Sequence, residues 1–120
     1  MLFKQSDLEE YRAPEPFTRY AKIFFDEKVI SNTPLSMGIF RFEPGQHGPK
    51  HLHEKEVEVY YCLRGKGCVT LDGEDFILEP GNVLYIPPKL YHETKNIGVD
   101  DFEFLAIFAP TVSMDNMRQW

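Results

Sequence analysis

The stretch Gly45-QHGPKHLHEKEVEVYYCLR-Gly65 decides how this chain is read. His51 and His53 are two apart, so on extended backbone both imidazoles lie on one face. Glu58 stands at an odd offset from His53, which on an unbroken strand puts it on the opposite face. The intervening Glu54-Lys55-Glu56 is fully charged, as a solvated turn is, and a turn there resets the register so that Glu58 faces the histidine pair. Glu58–Leu63 then reads as a strand that is apolar on both faces and closes at a glycine.

Working outward, the same alternation of short strand and turn continues on both sides. Tyr20–Phe25, Leu35–Phe42, His51-Leu52-His53, Cys68–Leu71, Phe76–Leu78, Val83–Ile86, Tyr91–Thr94 and Phe102–Phe108 are expected strands. Asp72-Gly73 is a hairpin signal, Pro80-Gly81 a turn, and Pro87-Pro88 a strand stop. The class is therefore all-β, an antiparallel sandwich or barrel. At the N-terminus Ser6-Asp7-Leu8-Glu9 has the form of a capping box and predicts a short helical turn, which Pro14 and Pro16 keep short. With 120 residues and 42% apolar content the chain is expected to form one domain: an N-terminal arm (1–32), a barrel (33–110) and a short C-terminal tail (111–120).

Composition excludes several classes. A net charge of -6 argues against a nucleic-acid binder, which needs cationic surface to displace counterions. No apolar run approaches the ~18 residues of a membrane span. The first residues carry acids by Asp7 and lack an apolar h-region, so a cytoplasmic location is expected. Cys62 and Cys68 are expected to be free thiols. Glu58–Leu63 and Phe102–Phe108 are apolar on both faces, and one barrel interior covers only one of them. A homodimer is expected for that reason, with Tyr20–Phe25 reaching across to the partner's sheet.

His51, His53 and Glu58, joined by His92 at the start of a later strand, make three imidazoles and one carboxylate. This donor set suits one divalent transition metal, Mn, Fe, Ni, Co or Zn. Gly45-x5-His51-x-His53-x4-Glu58-x6-Gly65 resembles the first cupin motif, and Gly81-x5-Pro87-x-Lys89-x2-His92-x3-Asn96 resembles the second. Lys89 departs from the pattern, since it stands where the family carries glycine. The resemblance implies a small double-stranded β-helix barrel, a jelly-roll type, with His51, His53, Glu58 and His92 as metal ligands.

Three further residues are pocket candidates. Tyr60 and Cys62 share the face of Glu58 and are expected to line the cavity, and Lys89 can project at its mouth to pair with an anion. His47 is expected to be a solvated loop residue, and Asn96 to close a turn. The predicted function is metal-dependent chemistry on a small oxygen-rich organic acid or sugar derivative, with the ion as Lewis acid in an isomerase, lyase or decarboxylase. The same ligands also allow an Fe(II) dioxygenase. A non-catalytic ligand-binding or sensor module is the reading outside enzymology.

Overall fold

Glycine, proline and aspartate punctuate the chain into nine strands, and the computed structural model describes all of residues 1–120. In order they are β1 (Tyr11–Arg12), β2 (Tyr20–Phe25), β3 (Ser36–Phe42), β4 (Val57–Arg64), β5 (Gly67–Leu71), β6 (Glu74–Leu78), β7 (Val83–Ile86), β8 (His92–Asn96) and β9 (Phe102–Ala109), followed by the helical turn α1 (Asp115–Arg118). One sheet has the order β1-β2-β3-β9-β4-β7 and the other β6-β5-β8. Every pairing is antiparallel. The predicted Asp72-Gly73 turn joins β5 to β6, with both residues at positive φ (46° and 86°), as a twisted two-residue hairpin requires.

The inner faces enclose a core that includes Phe40, Phe42, Phe102, Phe104, Val69, Leu78 and Ile86. Two glycines are required by this closure. A Cβ on Gly65, which has φ +79°, would collide with the Asp101 carbonyl oxygen, and one on Gly67 would enter the ring of the buried Phe102.

Several expectations are corrected. His51-Leu52-His53 is not a strand: only the His51–His92 bridge forms, between Pro49, which has no N–H, and the bend at Glu54 and Lys55. The capping box does not form. The N-terminal turn is a 3₁₀ turn, Gln5–Asp7, led by Lys4 without a side-chain cap; Leu8 is already extended, so Glu9 is carried out of reach of Ser6. β2 pairs with β3 of its own chain, from Tyr20↔Arg41 to Phe25↔Met37, after a connection (26–35) that turns at Asp26–Ile30 and again at Ile30–Thr33. β1 and β2 thus widen the sheet rather than cover it. Its outer face keeps Tyr61, Leu63, Val83 and Tyr85 exposed. No helix is long and apolar enough to cross a membrane.

Residues 111–120 are more than a tail. They fold back so that Met114 joins the core, with Met117 and Trp120 packed against it. Asp26, at the end of β2 and 1% exposed, holds them there. Its carboxylate accepts both terminal nitrogens of Arg118 at 2.8 Å and the Met114 amide at 2.9 Å. The Arg118 hydrogen bonds outweigh burial and draw the Asp26 pKa down to about 2.

Candidate metal centre

Two backbone hydrogen bonds bring the histidine segments together: His51 N donates to His92 O (3.0 Å) and His92 N to His51 O (2.8 Å). Lys89 N donates to His53 O (2.7 Å), so the turn that delivers His92 is docked on the segment that carries the other two histidines. Glu58 enters from β4, between Phe108 of β9 and Ile86 of β7, and is 2% exposed. The charged Glu54-Lys55-Glu56 segment does reset the register as expected. Ligand atoms of His51, His53, Glu58 and His92 all lie within 4.8 Å of one another.

The hydrogen bonds around these rings orient them. His51 Nδ1 lies 2.9 Å from Pro49 O, and His92 Nδ1 3.3 Å from Leu90 O. A ring nitrogen that donates to a carbonyl leaves Nε2 with its lone pair for the cluster. Glu58 Oε1 is 3.1 Å from His92 Nε2 and 3.2 Å from His53 Nε2. The His53 contact is outside hydrogen-bond geometry, so its Nε2 is buried without a hydrogen-bond partner.

Electrostatics favours ligand protonation states at two of these groups. Burial lowers the His51 pKa, although part of the ring is open to solvent, and the neutral imidazole is the form that ligates. Burial alone would raise Glu58, but the neighbouring His53 and His92 outweigh it and keep the carboxyl ionised. The Glu58 carboxylate raises His53 against the effect of burial. Three nitrogen donors, one of them the orphaned buried Nε2 of His53, and one carboxylate fit a single divalent ion, so the cluster can hold one.

The cluster opens on a cavity of about 300 Å³, at the small end of ligand sites. Phe40, Phe42, Phe104 and Phe108 supply its apolar wall. Tyr60 lines it as expected, and burial raises its pKa well above 10, so it stays a neutral phenol. Cys62 does not line it. It is wholly buried where the β4–β9 register shifts, with Sγ 3.6 Å from Arg64 O, and burial raises its pKa. Both cysteines are free. Lys89 is exposed and outside the lining, because its motif position serves the backbone: φ is 67°, the region glycine prefers.

His47 is exposed against Phe17, and Asn96 closes its turn by donating to Phe42 O and Asp100 O. Arg19, Asn116, Met117 and Trp120 also line the cavity. Sequence reasoning missed all four, because they reach it from the two ends of the chain and belong to no local motif.

A family model described as "Cupin domain" matches residues 38–108, which span this cluster. The chain belongs to the cupin family. A glucose-6-phosphate isomerase of Thermococcus gammatolerans is 40% identical over 135 aligned positions, covering 93% of this chain and 70% of that protein. An oxalate-binding protein of Thermotoga maritima is 36% identical over 81 residues, 68% of this chain and 67% of that one. A Methanocaldococcus jannaschii protein, MJ1618, is 39% identical over 66 residues, and there this cupin spans only 53% of the relative's length. Among solved structures, a Thermotoga maritima protein described as a predicted oxalate decarboxylase superposes with a TM-score of 0.84 at 24% identity, over 92% of this chain and 99% of that one. The double-stranded β-helix barrel is the shared architecture of these cupins.

Proposed function

We propose that this cupin is a metal-dependent enzyme that acts on a small oxygen-rich organic acid or sugar derivative by Lewis-acid chemistry, as an isomerase, lyase or decarboxylase. The observation that carries the reading is the convergence of His51, His53 and Glu58 on the wall of an otherwise largely apolar cavity, with His92 buried behind them in the same cluster. These four residues would hold the ion. A divalent ion bound there supplies a Lewis acid that polarises a carbonyl or carboxylate oxygen of the substrate. The phenylalanine wall excludes water, which strengthens every polar contact inside. Tyr60, a neutral phenol at neutral pH, offers a hydrogen bond beside Glu58. The relatives named for glucose 6-phosphate and for oxalate both handle oxygen-rich, negatively charged small molecules, which supports the substrate class.

Elemental analysis after metal-loaded dialysis tests the first step, with about one divalent ion per chain expected. Substoichiometric metal under every loading would overturn it. His51→Ala and His53→Ala should each lower metal affinity by ~10–100-fold or more, while His47→Ala should leave it unchanged. An oxygen electrode with hydroxy acids, diketones and sugar phosphates decides the reaction class. Turnover without oxygen, tolerant of Mn, Co and Ni, is expected. Oxygen uptake stoichiometric with substrate loss would replace this reading with an Fe(II) dioxygenase, and binding without turnover with a sensor module.

A further inference from the structure

Five arginines are present, and they do not share one environment. Arg41, Arg64 and Arg118 sit in ion pairs with carboxylates, and Arg12 is exposed to water. Arg19 is different. It is half-buried on the cavity wall, and no Asp or Glu carboxylate lies within ion-pair distance. Its Nη1 donates to Phe17 O at 2.7 Å, and its guanidinium stands 4.7 Å from the Trp120 ring centre. A backbone carbonyl and an aromatic face fix the orientation of the group without neutralising its charge.

Glu58 is the only acidic residue lining the cavity, and its carboxylate is engaged by His53 and His92. A positioned guanidinium that stays charged and half-desolvated is costly unless an anion completes it. Burial lowers the Arg19 pKa, the direction expected of a cation with no counter-charge beside it.

We infer that Arg19 binds a second oxyanion of the substrate, a carboxylate or phosphate distal to the group held at the histidine cluster. The site therefore selects dianionic ligands with a chelating head and an anionic far end. This rests on the reading of the cluster as the head-group site. The planar fork of Arg19 suits two parallel hydrogen bonds to such an oxyanion, and Trp120 holds the fork in place.

The test compares three probes that share a 2-hydroxycarboxylate head: glycerate, malate and 3-phosphoglycerate. Calorimetric titration of the metal-loaded protein should give malate or 3-phosphoglycerate an affinity on the order of tenfold or more above glycerate. Whichever of the two gains more tells carboxylate from phosphate. Arg19→Gln should abolish the advantage and leave glycerate binding intact, and Arg19→Lys should restore part of it. Equal binding of all three by the wild type, or an advantage that survives Arg19→Gln, would overturn the assignment.

A metal-free arm separates this inference from the metal reading. Trp120 is the sole tryptophan, so inorganic phosphate titrated into chelator-treated protein should change its fluorescence in the wild type but not in Arg19→Gln. If the cluster binds no metal but this response appears, the metal reading fails and Arg19 stands. If metal and glycerate bind but the response is absent, Arg19 fails alone.

Discussion

Replacing Asp26 with asparagine removes the charge that holds residues 114–120 against the cavity, and its effect has a defined pH dependence. The Asp26 carboxylate accepts two hydrogen bonds from Arg118 and one each from the Met114 and Lys28 amides, which lowers its pKa from 3.8 to about 2. A carboxyl depressed on folding contributes stability that is fully present above its unfolded pKa and is lost as pH falls through the folded value. At ~1.4 kcal/mol for each tenfold change in acidity, the upper bound is ~2.5 kcal/mol. Arg118 is 21% exposed and also pairs with Asp115 at 2.9 Å, so solvent screening and the remaining partner reduce the expected loss to about 1–2 kcal/mol.

The assay is urea denaturation of wild type and Asp26→Asn at several pH values between 2 and 7. The difference should be level from pH 7 to about 5 and shrink toward pH 2, where the wild-type carboxyl is itself taking up a proton. Trp120 emission adds a second readout: release of the segment should expose the ring and shift it to longer wavelength while the barrel stays folded. A stability gap unchanged from pH 7 to pH 2, or no gap at all, would refute the reasoning.

Lys89→Gly should stabilise the protein by up to about 1 kcal/mol, since Lys89 occupies the left-handed region at φ 67°; a loss of stability in urea would show that the lysine side chain matters to the turn. Gly67→Ala should cost ~1–3 kcal/mol or prevent folding, because the added Cβ enters the Phe102 ring; a midpoint within error of wild type would contradict the packing. A homodimer is expected from the exposed face of Tyr61, Leu63, Val83 and Tyr85, and Tyr85→Lys should dissociate it. Light scattering that gives a 14.0 kDa particle for the wild type at micromolar concentration would remove that expectation.

By itself the sequence determined the strand pattern and the local part of the ligand cluster, His51, His53 and Glu58, because these are written in short-range spacing. The β-helix barrel and the joining of the distant His92 followed from the resemblance to the two cupin motifs. Turn residues mark where strands stop, period-two alternation gives their faces, and the charged Glu54-Lys55-Glu56 shows that Glu58 changes register relative to His53. Conformation and contact beyond a few residues were not legible there. Ser6 and Glu9 match a cap whose backbone turns extended too early, and Cys62 shares a strand face with Tyr60 but lies where the register slips. Only the tertiary structure showed that Lys89 serves its turn through the backbone. Arg19 and Trp120 are separated by nearly the whole chain, so their meeting across the cavity depends on β2 adding to β3 and on Asp26 holding Arg118. The Arg19 and Trp120 end of the cavity was decided there, since local spacing records which residues share a face and only packing decides which faces meet.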